Sequence, residues 1–251
     1  MSTNTESQVT TIPWIDDQDP LPSPRILIDP DPRFPGLLAL SDSLSPDRLL
    51  QAYRQGMFPW YSENEPVMWW CTHPRMVLET QSFKVSQSFK KTIQSVLSNE
   101  DWEIRIDYSF LETITACASI DRLGQNGTWI TDDIIDAYHQ LHLQGYVHSV
   151  ESWYQGQLAG GLYCVNIGKM VYGESMFAHQ TDASKIALAA LSAWCVSEGI
   201  RYIDCQQETK HLASLGARPI SRDDFLDWIE SQIDLPNPDW SFDKNILKNW
   251  L

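Results

Sequence analysis

The sequence predicts an α+β fold in which helices cover the faces of a mixed β-sheet. Three strand-like runs follow one another at 147–154, 158–165 and 170–177, separated by short turns that contain glycine. Strands joined by such short turns pair as an antiparallel meander. The segment that follows, 184–198, is apolar on nearly every side, and a helix without a polar face is buried.

A further strand is predicted at 201–205, directly after this buried helix. A strand, a helix and a second strand of the same sheet usually form a right-handed crossover, which makes the two strands parallel. The predicted sheet therefore combines antiparallel pairs with a parallel pair.

The elements before the meander are recognised mainly by their capping residues. Ser45, Ser86 and Thr131 each stand at an N-cap position, and the proline and acid that follow Ser45 complete a helix start. The alternation of apolar and polar residues at 102–106 predicts a strand. Helices are further predicted at 108–117, 211–215 and 222–229.

The chain divides into four predicted segments. An acidic, proline-rich arm at the start is expected to be extended or loosely packed. An aromatic-rich unit follows that is too small to stand alone, then a large mixed-sheet domain, then a short tail. Their bounds are 1–33 for the arm, 34–82 for the small N-terminal domain, 83–233 for the mixed-sheet domain and 234–251 for the tail.

The charge of the chain limits its partners. A formal charge of -15 over 251 residues argues against non-specific binding of nucleic acid. An RNA partner must therefore meet a local basic patch, and Lys84, Lys90 and Lys91 form the best such cluster. The five scattered cysteines include no Cys-x-x-Cys pair, which indicates reduced thiols. The sequence has no secretory signal and no run long enough to cross a bilayer, so a cytoplasmic protein is predicted.

Several kinds of chemistry are disfavoured by the motifs. His139 and His142 lie three residues apart on a predicted helix, but no cysteine or acid at a typical spacing completes a zinc site with His148. The residues around Ser175 lack the second glycine of a nucleophile elbow. No glycine-rich phosphate loop is present either. The sequence therefore predicts no metal, no cofactor and no covalent nucleophile.

One group of polar residues remains, Glu174, Asp204 and Gln206, at the ends of two predicted strands. The two-residue period of a strand places Asp204 and Gln206 on one face and Cys205 on the other. Two interpretations stay open on the residues alone. The carboxylates either tie the strands together through backbone amides or face a pocket in which an acid binds or deprotonates an amine.

Trp60 and Trp129 also have two interpretations. Both stand in predicted loops beside turn residues. Such a ring is either part of the core or a platform on which a nucleic-acid base stacks.

A series of short strings carries a family resemblance that spans 34–229. The strings are Gly36-Leu37-Leu38-Ala39, Leu44-Ser45-Pro46-Asp47-Arg48-Leu49-Leu50, Gly56-Met57-Phe58-Pro59-Trp60-Tyr61, Trp69-Trp70, His73-Pro74-Arg75, Gly127-Thr128-Trp129-Ile130-Thr131, Ala137-Tyr138-His139, Leu141-His142, His148-Ser149-Val150-Glu151, Gly173-Glu174-Ser175-Met176-Phe177, Ala183-Ser184-Lys185, Asp204-Cys205-Gln206 and His211-Leu212-Ala213-Ser214-Leu215-Gly216. In this order they resemble the leucyl/phenylalanyl-tRNA–protein transferases.

The resemblance implies a small N-terminal domain packed on a catalytic domain with the acyl-CoA N-acyltransferase-like (GNAT-like) fold. It also implies the reaction. A leucyl or phenylalanyl group, with methionyl as a further candidate, passes from aminoacyl-tRNA to the α-amine of an N-terminal Arg or Lys of a protein. The new peptide bond marks that protein for degradation, and the transferase is expected to act as a monomer.

The resemblance also implies roles for individual residues. Asp204 and Gln206 hold or polarise the attacking amine, and Glu174 attracts the basic side chain of the acceptor or the α-ammonium group of the donor amino acid. Trp60 and Trp129 hold the terminal adenosine, and the three lysines contact the acceptor stem. The apolar pocket for the amino-acid side chain is assigned to Leu162, Met176, Leu188 and Ile203.

Two features depart from the family pattern. Ser41-Asp42-Ser43 stands where the family usually has Gly-Gly-Asp, and Cys71-Thr72-His73-Pro74-Arg75 stands where it usually has Ser-Pro-Asp-Pro-Arg. The part of the N-terminal domain in RNA contact is therefore in doubt. The competing hypotheses are a CoA-dependent N-acyltransferase and a non-catalytic aminoacyl-tRNA-binding paralogue. Asp182, directly before the buried helix, disfavours the pyrophosphate of CoA.

Overall fold

The computed structural model describes residues 11–26, 29–120 and 128–251. The loop predicted at 124–127 and part of the predicted arm lie outside these residues. Within them the chain forms a mixed α/β structure with two sheets. No helix in the described ranges is long and apolar enough to cross a membrane.

The chain contains every helix and strand that was predicted, together with five strands that were not predicted. The strands are β1 (Leu37–Ser41), β2 (Phe58–Pro59), β3 (Val67–Trp70), β4 (Arg75–Glu79), β5 (Trp102–Ile106), β6 (Val147–Tyr154), β7 (Gln157–Ile167), β8 (Met170–Ala178), β9 (Tyr202–Asp204) and β10 (Arg218–Ile220). Of these, β1 to β4 and β10 were not predicted. The α-helices are α1 (Pro46–Arg54), α2 (Gln87–Ser98), α3 (Phe110–Ser119), α4 (Asp132–Leu143), α5 (Ala183–Ser197), α6 (Lys210–Ser214) and α7 (Arg222–Gln232). Short 3-10 helices lie at Thr80–Ser82 and Lys244–Trp250.

The small sheet has the order β1-β3-β2 and packs with α1. Ser45 begins α1 as predicted, since its side chain accepts a hydrogen bond from the Arg48 amide. The arm is held more firmly than the sequence suggested. The Ile15 amide donates to the Leu40 carbonyl at 2.8 Å, and the buried Arg48 guanidinium donates to backbone carbonyls of the arm.

The large sheet has the order β10-β4-β9-β8-β7-β6-β5. The predicted meander is confirmed, because β6, β7 and β8 pair antiparallel, and β8 pairs parallel with β9 across the predicted crossover. The sequence analysis did not anticipate β4. This strand lies in the segment predicted as the N-terminal domain, yet it pairs with β9 and β10 of the large sheet.

Helix α5 is the buried helix that the sequence predicted. Eleven of its residues, from Ala183 to Cys195, are buried. Gly160 of β7 permits its close approach, since a Cβ atom there would lie 2.6 Å from the Ala183 Cβ atom. The C-terminal tail covers another side of α5, with the Trp240 ring 4.0 Å from the ring of Trp194.

Candidate active site

A cavity of about 640 Å³ opens beside β8, β9 and α5. Its walls also include the loop after β2 and the first residues of α6. Six residues proposed to bind substrate line this cavity: Trp60, Trp129, Leu162, Met176, Leu188 and Ile203.

One wall of the cavity is apolar. Leu162 of β7 and Met176 of β8 are paired opposite each other, so their side chains lie on the same face of the sheet. Leu188 of α5 and Ile203 of β9 are buried beside them. A ligand group that packs against this wall loses its contact with water, which is favourable for an apolar group.

Another wall is aromatic. Trp60 and Trp129 are half-buried and line the cavity. The Trp70 ring supports Trp60 edge-on at a centroid distance of 5.7 Å, and its Nε1 donates to the Trp60 carbonyl at 2.7 Å. Neither tryptophan is fully buried, although both pack against the core.

Glu174 brings a carboxyl group to the cavity. Gln206 Nε2 donates to its Oε1 at 3.2 Å, and the Tyr138 hydroxyl donates to its Oε2 at 3.4 Å. Tyr138 is itself hydrogen-bonded to the hydroxyl of Tyr53. Desolvation raises the pKa of Glu174 to about 8, because the charged form loses its hydration among these groups. The carboxyl group is therefore mostly protonated at pH 7.

Asp204 does not reach the cavity. Its side chain is completely buried and accepts two hydrogen bonds from Arg75, at 2.8 Å from Nε and 2.6 Å from Nη2. Asp204 Oδ1 also accepts a hydrogen bond from the backbone N–H of Gln206 at 3.0 Å. The structure therefore brings Glu174 and Gln206 together at the cavity and places Asp204 behind them, where it anchors the backbone of Gln206.

The strand argument for Cys205 was wrong. β9 ends at Asp204, and Gln206 adopts a left-handed backbone with φ of 53°. The two-residue period ends with the strand, so Cys205 lines the cavity together with Gln206. Burial raises the pKa of the Cys205 thiol, which leaves it protonated.

Arg75 is the main site residue that the sequence analysis missed. Its side chain is fully buried, and the guanidinium lies between the rings of Phe58 and Phe225, 4.8 Å and 4.4 Å from their centroids. Phe58 itself lines the cavity two residues before Trp60. The signal for Arg75 was an arginine at the start of a short apolar run, a position where a charge needs a buried partner.

The lysine cluster lies outside the cavity. Lys84 and Lys91 are exposed, and Lys84 precedes α2 with its amide donating to the Leu215 carbonyl at 2.9 Å. Lys90 donates to the Leu251 carbonyl at 3.4 Å, so the C-terminus occupies one of the three ammonium groups.

The three histidines considered for zinc take other partners. His148 Nδ1 lies 2.7 Å from Asp107 Oδ2, and His142 Nδ1 lies 2.9 Å from the Val147 carbonyl. His139 stacks near Phe110. Among the described ranges, no group of three histidine, cysteine or acidic side chains is arranged to hold a metal ion.

The fold and the cavity define a protein of mixed α/β architecture whose largely apolar cavity also contains a carboxyl and an amide group. Sequence comparison identifies its family. The profile described as "Leucyl/phenylalanyl-tRNA protein transferase" matches 77–230, and the profile of that family's N-terminal domain matches 42–73. The chain belongs to the leucyl/phenylalanyl-tRNA–protein transferase family.

Individual relatives agree with this assignment. The leucyl/phenylalanyl-tRNA–protein transferase of Ralstonia pickettii is 55% identical over 95% of this chain and 97% of its own. That of Cupriavidus necator is 57% identical over 95% and 96%. A solved structure of a conserved protein from Staphylococcus epidermidis matches at a TM-score of 0.35 and 12% identity, over 59% of this chain and 57% of its own, which is too distant to assign a fold family.

Proposed function

We propose that this protein transfers a leucyl or phenylalanyl group from tRNA to the α-amine of an N-terminal Arg or Lys of a protein. The observation that carries the proposal is the cavity, which joins an apolar wall, two half-buried tryptophans and the Glu174–Gln206 pair. The family assignment supports the aminoacyl transfer itself.

The apolar wall binds the side chain of the donor amino acid. Leu162, Met176 and Ile203 contribute to this wall from the sheet, and Leu188 contributes from α5. A side chain with an unbranched Cβ, as in leucine, phenylalanine or methionine, fits against this wall. Isoleucine and valine are excluded by shape, at about 1–3 kcal/mol of discrimination.

The two tryptophans stack on the terminal adenosine of the donor tRNA. Trp60 and Trp129 supply ring faces for an adenine, an interaction worth about 1–3 kcal/mol per base. Any adenine ring suits such a platform, so the specificity for the amino acid comes from the apolar wall.

The acceptor amine approaches Gln206. The side-chain Nε2 of Gln206 donates to Glu174. The side-chain Oε1 of Gln206 is then the atom that accepts a hydrogen bond from the neutral amine. The amine nitrogen bonds to the ester carbonyl carbon, and the bond from that carbon to the ribose oxygen breaks. One proton of the amine passes to the leaving ribose oxygen, which becomes a hydroxyl. Asp204 acts through Gln206 as a positioning residue, and orientation supplies most of the rate.

Glu174 selects a basic N-terminal residue. A guanidinium or ammonium group beside Glu174 favours the carboxylate, so binding the cation expels the proton that the free site holds at pH 7. An uncharged N-terminal side chain lacks this compensation and leaves the carboxyl group neutral.

The same proposal includes the wider setting. It includes a GNAT-like catalytic domain, which is supported by the parallel pair of β8 and β9 and by the buried helix α5 that connects them. A monomer acts in the cytoplasm, and its product is marked for degradation.

The test is transfer of labelled leucine from tRNA to a peptide that begins with Arg. We expect a labelled peptide from the wild-type protein and a strongly reduced rate from Gln206→Ala. Absence of transfer by the wild-type protein contradicts the proposal. A thermal shift with CoA, in place of one with aminoacyl-adenosine, favours the CoA-dependent alternative.

A further inference from the structure

Lys185 does not line the cavity but lies less than one helical turn before Leu188, which does, and this position is termed the rim of the cavity. It lies in the first turn of α5, three residues before Leu188, so both side chains lie on one face of the helix. Leu188 lines the cavity, whereas the Lys185 side chain keeps 38% exposure. Lys185 therefore continues the Leu188 face from the apolar wall out to solvent.

A second residue that bears on Lys185 is His211. His211 is a cavity-lining residue at the start of α6. Burial lowers the pKa of His211, and the positive charge of Lys185 lowers it further. His211 therefore offers a neutral donor or acceptor at the cavity.

Asp182 connects this rim to α2. Its Oδ1 accepts from Lys185 Nζ at 2.8 Å, and its Oδ2 accepts from the Thr92 hydroxyl at 3.4 Å. Thr92 follows Lys91, one of the lysines predicted to contact RNA. Lys185 therefore lies between the cavity and the helix that carries the basic cluster.

We propose that Lys185 binds the phosphodiester group that links the terminal adenosine to the preceding nucleotide. This inference rests on the proposed function, which places the adenosine in the cavity. An ammonium group has three N–H donors, and the bond to Asp182 holds the ammonium at the rim while two donors remain for phosphate oxygens. In a chain of charge -15, a cation placed there attracts the RNA backbone locally.

The test measures binding, independently of transfer. Wild-type protein and Lys185→Ala are titrated with a short RNA that ends in CCA and, separately, with adenosine, which lacks phosphate. We expect the variant to bind the RNA several-fold more weakly and to bind adenosine unchanged. The slope of log affinity against log salt concentration falls by about 0.7, as expected for one lost contact to a single strand.

Three variants make the result specific. Lys169→Ala is the matched control, since Lys169 pairs with Glu198 at 3.3 Å through another partly exposed ion pair, and it leaves the slope unchanged. Lys185→Gln keeps the packing of the stem, and the double variant Lys185→Ala/Asp182→Asn removes the orphaned acid. Both retain the loss of RNA affinity if Lys185 contacts phosphate.

Opposite results separate the two proposals. A wild-type slope in Lys185→Ala, or recovery of RNA affinity in the double variant with Asp182→Asn, overturns the phosphate contact. Failure of the wild-type protein to transfer leucine overturns the proposed function instead, and the RNA titration still decides the role of Lys185.

Discussion

The Arg75 guanidinium and the Asp204 carboxylate form a bidentate ion pair with both side chains fully buried. The ion pair joins β4 to β9. Asp204 also accepts a hydrogen bond from the backbone N–H of Gln206. The ion pair thus fixes the left-handed backbone from which the Gln206 side chain reaches Glu174. Arg75 controls the site from behind the sheet, without touching the cavity itself.

Removing one partner of this pair is expected to destabilise the fold strongly. Arg75→Met leaves the Asp204 carboxylate buried without a counter-charge, which costs about 3–5 kcal/mol. Urea unfolding of the variant measures this loss. Arg54→Met is the control, because Arg54 pairs with Asp234 on the surface and should change stability by less than about 1 kcal/mol.

The double variant Arg75→Met/Asp204→Leu separates folding from catalysis. Replacing both charges with apolar groups restores most of the stability, because no buried charge remains unpaired. The hydrogen bond that holds the backbone N–H of Gln206 is still lost in this variant. We therefore expect kcat to fall while KM for the peptide changes little. Adding Gln206→Ala should then cause little further loss, and full additivity of the two effects would contradict the positioning role.

The position of Asp204 shows where sequence reasoning stops. The meander, the crossover and the buried helix were predictable, because each depends on the hydrophobic pattern of neighbouring segments of the chain. The partner of Asp204 lies 129 residues away in β4, a strand that the sequence analysis did not identify. Without that strand Asp204 is expected at an open edge of the sheet, and its burial depends wholly on this distant pairing.

The cavity walls were more accessible to prediction than the charges. The family resemblance assigned six residues to the substrate pocket, and all six line the cavity. The crossover brings Leu162 of β7, Met176 of β8 and Leu188 of α5 together there. The hydrogen bond between Tyr53 and Tyr138 has no such local origin. It joins α1 to α4, and its effect on Glu174 appears only in the folded chain.

Glu174 predicts a pH-dependent choice of acceptor. Its pKa of about 8 means that the carboxylate becomes available as the pH rises from 6 to 9. We expect the ratio of kcat/KM for an Arg peptide over a citrulline peptide to increase over this range. The α-amine titrates equally in both peptides, so the ratio cancels its contribution. Glu174→Gln should give a low, flat ratio, and a rising ratio in that variant would contradict the assignment.

The same carboxyl group predicts a pH effect on stability. Its folded pKa of about 8 exceeds the ordinary value of 4.5, so the folded state binds the proton more tightly than the unfolded state. This contribution is fully present below pH 4.5 and is lost as the pH rises toward 8. In thermal unfolding, Glu174→Gln should therefore gain stability relative to the wild-type protein between these values. A constant difference across the window would show that the shift is absent.

Met176 predicts the amino-acid selectivity. Met176→Ala enlarges the pocket beside the apolar wall, so donors branched at Cβ should fit better. We expect the preference for leucine over isoleucine to fall by about 1–3 kcal/mol, with transfer from leucyl-tRNA itself reduced. Competition between the two labelled donors measures the ratio. Met68→Ala is a control outside the cavity, and an unchanged ratio in Met176→Ala would remove Met176 from the selectivity wall.

The tryptophans predict a loss in donor binding that is independent of the amino acid. Trp60→Ala or Trp129→Ala removes one ring face, and each should weaken aminoacyl-adenosine binding by about 1–3 kcal/mol. Leucyl and phenylalanyl donors lose equally, because the ring contacts the base and not the side chain. Trp60→Phe and Trp129→Phe keep a π-face and should recover much of the affinity. Trp102→Phe is the control for aromatic substitution, since Trp102 packs on Tyr154 in β6 and does not line the cavity. Unequal losses for the two donors would place the tryptophans in the amino-acid pocket instead.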